Sequence, residues 1–197
     1  MEQQIVSAHD IFPHIRIVMG MVIGLGITRL LMGFAGIVQH PQRAKLYPTH
    51  LLWAGSLLLE LIHFWWWEFA LFTISEWTFG VYFFLIAYCI VLFLLAALLF
   101  PDRIDDYDGY EGFFLSRRKW FFGLFASTFV FDIIDTVIKG PQHLALFGFE
   151  YAVQVPIAIG LCVVAMFTTN RRYQLALVIV HIVYQISWIY RLFYTVT

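Results

Sequence analysis

A chain of 197 residues that is 61% hydrophobic and 13% charged is too apolar for a water-soluble domain, where about 25% charged residues are usual. Its formal net charge of −1 excludes the concentrated basic face that a nucleic-acid partner requires. Cys89 and Cys162 both lie inside apolar runs, which implies buried free thiols and no disulfide framework.

A membrane-crossing helix needs about 20 mainly apolar residues. Segments 15–38, 50–72, 79–100, 118–139, 144–168 and 173–195 meet that length. The predicted fold is therefore an all-α polytopic bundle of six spans, forming a single transmembrane domain over 1–197. The leading stretch MEQQIVSAHD has no basic region, and no small-residue cleavage motif follows the first apolar run. That run reads as a retained helix.

Span one carries Arg29 on the same face as Gly26, Gly33 and Gly36. Small residues let helices approach closely. The turn signals HPQ (40–42) and YP (47–48) lead into span two, which contains ELIHFWWWEF (60–69). Counting about 1.5 Å per residue from the span ends puts Arg29 and Glu60 at matched depth near the midplane. A charge there costs at least ~2.5–3.5 kcal/mol, so an Arg29–Glu60 ion pair is predicted. His63 follows Glu60 by one turn. Glu-x-x-His is the helical spacing of carboxylate-bridged di-metal sites. Together with His181, Glu60 and His63 carry an alternative reading as a metal or haem site. Trp65, Trp66, Trp67 and Trp77 read as an interfacial aromatic belt, and Glu68 as a solvated carboxylate beside it.

Span three, FFLIAYCIVLFLLAALLF, has no charge and is expected to face lipid or a second copy of the chain. The loop 101–117 is acidic and then basic. Span four presents Thr128, Asp132, Asp135 and Lys139 as a polar stripe, with Asp135 and Lys139 paired as i, i+4 neighbours. Asp132 is left over. Span five brings Glu150 and Gln154, and Pro156 frees the Ala152 carbonyl, which must find a partner or line a cavity. Span six offers His181, Gln185 and Trp188 on one face. Arg191 is the expected partner of Asp132 or Glu150.

Arg43, Lys45, Arg103, Arg117, Arg118, Lys119, Arg171 and Arg172 fall in alternate connections. Basic residues favour the cytoplasmic side, so both termini are expected on the opposite side of a bacterial-type inner membrane. The pair IVQHPQ (37–42) and VIKGPQ (137–142) admits two inverted three-helix halves, a frequent transporter plan.

Phosphate-binding glycine loops, Gly-x-Ser-x-Gly and clustered histidines are absent from the sequence, which argues against a conventional enzyme. The leading expectation is a small secondary transporter or channel for a cation or proton-coupled solute. Asp132, Glu150, Gln154, His181 and Gln185 would line its path below an acidic outer vestibule. That reading requires no cofactor; haem or a transition metal enters only with His63 and His181 as ligands. A third reading is a non-catalytic oligomeric membrane subunit or partner-binding module, with the bilayer and its own copies as the expected partners.

Overall fold

The computed structural model describes residues 8–74 and 76–193. The predicted positions of the two chain ends fall outside the described residues. Among those described, all regular structure is helical: α1 (Ala8–Gln39), α2 (Pro48–Trp67), α3 (Phe79–Ala97), α4 (Gly109–Ile138), a short α5 (Pro141–Ala145), α6 (Gly148–Phe167) and α7 (Arg171–Phe193). Two short 3-10 turns, Glu68–Thr73 and Ile104–Asp106, follow α2 and α3. Local chemistry sets several helix starts. Pro48 opens α2, where a missing N–H costs nothing. Thr78 caps α3 by accepting from the Val81 N–H at 3.2 Å. Asn170 does the same for the Arg172 N–H at 2.9 Å, opening α7.

Five of these helices (α1 from Ile11, α3, α4, α6 and α7 to Leu192) are long and apolar enough to cross a membrane. Large apolar side chains such as Phe83, Trp120, Ile157 and Val183 remain on the outside of the bundle. The chain is an integral membrane protein. Helix α2 has the same 20-residue length as α6, but its tryptophans, histidines and glutamate lower its apolarity. Its position explains why that is tolerated: α2 contacts α1, α3, α4 and α7, so neighbouring helices and not lipid face its polar groups.

Element ends differ from the hydropathy boundaries. Helix α4 starts at Gly109 and not at 118, because Arg117 can point outward and donate to the Tyr107 hydroxyl at 3.1 Å without ending the helix. Gly109 itself has φ +71°, and its backbone passes close to Lys45, so a side chain there would be strained. The second apolar run stops being α-helical at Trp67. The fifth is preceded by the separate turn of α5.

Helix order in space is not helix order in sequence. Helix α1 packs most extensively on α3, and α4 on α6. The charge-free third span therefore has one face in the bundle, while Phe79, Phe83, Ile90 and Leu94 remain exposed on the other. Leu85, Tyr88, Cys89, Leu92, Leu95 and Ala96 of α3 are buried against α1, α2 and α4. Without a hydrophobic driving force between helices, close van der Waals fit decides who packs where. Gly33 of α1 provides that fit: a Cβ there would run into the Phe100 ring. The first half pairs its first and third spans, whereas the second pairs its first and second, so the two halves do not repeat one another's packing.

The Arg29–Glu60 ion pair is not formed. At 32 residues α1 overshoots the 19-residue α3, so Arg29 lies beside the end of α3. It donates to the Phe100 carbonyl at 2.8 Å and to Asp102 at 2.5 Å. Asp102 is 88% exposed and Arg29 33%, so solvent screens this pair to about 0.2–1 kcal/mol. A double-mutant cycle of Arg29→Ala with Asp102→Ala, read by unfolding in micelles, should return that coupling. The cycle of Arg29→Ala with Glu60→Gln should return none within error.

Candidate functional site

Four helices, α2, α4, α6 and α7, surround a cavity of about 580 Å³. From α2 come Glu60 and His63, and from α4 Asp132. Glu150 and Gln154 of α6 and His181 and Gln185 of α7 add to its polar lining, as do Thr128 and Thr136 of α4. All five residues expected along the transport path thus meet in one space, together with the glutamate and histidine of span two. These are i, i+3 and i, i+4 positions, so each helix turns one polar edge toward the same interior.

The polar groups are held by specific partners. Gln185 joins α7 to α2: its amide donates to Glu60 Oε2 at 2.6 Å and to the Ser56 carbonyl at 3.3 Å, while its carbonyl accepts from the Ser56 hydroxyl at 3.0 Å. Asp132 accepts from the Tyr151 hydroxyl at 2.7 Å. Glu150 takes both arms of Arg191 at 2.7 Å each and the Tyr184 hydroxyl at 3.0 Å. Of the two acceptors expected for Arg191, Glu150 is the one used. The His181 ring stacks on Trp53 at 5.2 Å and meets the edge of Phe125 at 5.0 Å. His63 lies 6.1 Å from the Trp67 ring.

The outer vestibule expected from Glu68, Asp132, Asp135 and Glu150 does not exist as a solvated acidic layer. Glu68 is 1% exposed. The turn after α2 folds it under α4, where Lys139 Nζ donates to it at 3.2 Å and to Asp135 at 2.5 Å. Trp67 joins the same cluster, donating from its indole to Asp135 at 3.3 Å, with Lys139 over its ring at 5.1 Å. The predicted i, i+4 pair is present, but as part of a sealed group of two carboxylates and one ammonium. His143, on α5 beside Trp67 at 4.9 Å, has its pKa lowered to about 4 by burial and by Lys139. It is neutral at pH 7 and adds no positive charge there.

The tryptophan belt divides accordingly. Trp66 is 59% exposed and faces outward. Trp65 packs against Arg16 at 5.2 Å, Trp77 stacks on Phe12 at 6.2 Å, and Trp67 lines the cavity. Pro156 is exposed on the outer face of α6, which continues through it.

Tyr151, Trp53, Tyr88 and Phe125, absent from the sequence-derived site, also line the cavity. Their signal was available only in part: Tyr151 follows Phe147 at the i, i+4 spacing, on the face of α6 that meets α4. Glu60, His63 and His181 share the cavity, yet among the described residues no group of three or more His, Cys, Asp or Glu is arranged to hold a metal ion. The fold and this cavity define the class: a helical integral membrane protein with an aromatic, partly polar interior chamber. The chain matches no known family model, no curated protein and no solved structure.

Proposed function

We propose that the protein is a small secondary transporter or channel for a cation or a proton-coupled solute, and that the chamber between α2, α4, α6 and α7 is its path. One observation carries this reading. Among the described residues neither Glu60 nor Asp132 forms an ion pair, although both border a cavity large enough for a solute. The charged residues nearby are spent elsewhere: Lys139 on Glu68 and Asp135, and Arg191 on Glu150. Carboxylates inside a membrane with only neutral donors are functional candidates by default, and a cation passing through would supply the missing charge. His63 and His181 add imidazoles to the same lining.

The reading includes six spans, with α2 crossing inside the bundle. The pairs Arg43–Asp105, Lys45–Asp108 and Arg171–Glu111 gather at one end of it. By the distribution of basic residues that end faces the cytoplasm of a bacterial-type inner membrane. Inverted halves are not part of the reading, since the two halves pair their helices differently.

The test is flux. Purified protein in liposomes should dissipate an imposed proton or monovalent-cation gradient, and His181→Ala should remove that flux while the protein keeps its helix content. Wild-type liposomes as tight as empty ones to protons, to monovalent metal cations and to small organic cations would refute the reading.

A further inference from the structure

The walls of the chamber are as informative as its carboxylates. Trp53, Tyr88, Phe125, Trp67, Phe147 and Trp188 all face it. Several are fixed by mutual contact: Trp53 against Phe125 at 5.1 Å, Trp67 against Phe147 at 5.4 Å, and Phe147 against Trp188 at 5.6 Å. Aromatic faces attract cations through the ring quadrupole, more so where water is excluded. The combination of aromatic walls with carboxylates that lack an internal counter-ion suits a positively charged organic group.

A bare metal ion fits poorly. It requires a shell of several oxygens at short range. Here the lining backbone is helical, so its carbonyls are committed, and no three-ligand group is present among the described residues. The volume, about 580 Å³, lies in the range of roughly 300–1,000 Å³ that accommodates small organic ligands.

The chamber is also open on its lipid side. Lining residues Phe149, Val153 and Ile157 of α6 and Val180 of α7 are themselves exposed, at 83%, 40%, 56% and 60%. The gap between α6 and α7 therefore meets the apolar surface of the bundle, and a molecule soluble in the bilayer reaches the carboxylates without crossing water.

Resting on the proposed transport reading and naming its substrate class, we propose that the chamber binds a lipophilic organic monocation, a quaternary ammonium or a protonated amine with apolar substituents. It enters between α6 and α7 and sits with its charge near the carboxylates of Glu60 and Asp132, among the aromatic side chains that line the chamber.

The probes are phenyltrimethylammonium and its neutral carbon isostere tert-butylbenzene, which share shape and differ in charge. Binding to the wild-type protein in nanodiscs is followed by tryptophan fluorescence and calorimetry. The cation should bind at least about tenfold tighter than the isostere, and Phe125→Leu should narrow that preference while leaving the isostere's affinity within about threefold. Equal affinities, or binding of neither probe, would overturn the inference. The flux assay separates it from the reading beneath it. Proton or metal-cation flux without binding of the organic cation would leave the transport reading standing and remove this one. Binding of the cation in a protein with no flux would do the reverse.

Discussion

Lys139→Met should destabilise the protein by about 3–5 kcal/mol, the cost of leaving buried charge uncompensated. Lys139 is the only cation paired with Glu68 and Asp135 among the described residues, and all three side chains are 2% exposed or less. The substitution keeps most of the side-chain length and removes the ammonium that lies over the Trp67 ring. What disappears is the charge, and two carboxylates remain without it in a place water does not reach. Glu68 Oε2 and Asp135 Oδ1 already have no hydrogen-bond partner among the described residues, so little local rearrangement is on hand to absorb the loss. The measurement is reversible unfolding in mixed micelles. The triple variant Lys139→Met, Glu68→Gln, Asp135→Asn supplies the control. With every charge removed it should recover most of the loss, since replacing a whole buried ionic group by neutral residues is often close to neutral. A loss under about 1 kcal/mol in the single variant would mean that the cluster is hydrated.

This cluster also shows where sequence reasoning reaches and where it stops. Asp135–Lys139 was legible because both residues belong to one helix, and helical spacing alone brings them together. Glu150–Arg191 was legible as one of two choices, because both residues lie at the same end of antiparallel spans. Glu68 was not legible. Its distance from the end of an apolar run gives depth, but burial depends on the turn at Glu68–Thr73 folding back under α4. Arg29 failed for a related reason: counting residues assigns depth along one helix and says nothing about which neighbour stands beside it. That choice rests on shape, on Gly33 admitting the Phe100 ring, and shape complementarity between distant segments leaves no periodic trace. The tryptophans illustrate a third limit. Composition treats Trp66 and Trp67 alike, yet one faces outward and the other lines the chamber, because adjacent helix positions differ by about 100°. Asp132, Gln154, His181 and Gln185 border one cavity for the same geometric reason. Apolar helices in a membrane can hide polar residues only toward the bundle interior, so Asp132, Gln154, His181 and Gln185 had few places to go.

Asp132→Asn should lower flux by about two orders of magnitude while leaving the fold intact. Asparagine has the same size and keeps a carbonyl oxygen to accept from Tyr151, whose hydroxyl lies 2.7 Å from the carboxylate. The link between α4 and α6 therefore survives, and only the charge is lost. If that charge stabilises a passing cation by the ~2.5–3.5 kcal/mol that it costs to hold one ionised group in a membrane, the corresponding factor is about 60–300. Tyr151→Phe makes the contrasting test. It removes the hydrogen bond and keeps the carboxylate, so it should cost stability of about 0.5–1.5 kcal/mol and change flux far less than Asp132→Asn. Flux through both variants is measured in the same liposomes, with orientation checked by protease access. A structural role for Asp132 predicts the opposite order, with Tyr151→Phe the more harmful, because it breaks the link that Asp132→Asn keeps. Glu60→Gln resolves any remaining overlap. Glu60 sits on α2 across the chamber and is tied to α7 through Gln185 at 2.6 Å, so it shares no helix and no hydrogen-bond partner with Asp132. Loss of flux in both charge-removing variants, with stability retained in both, requires what the two residues do share, which is the chamber.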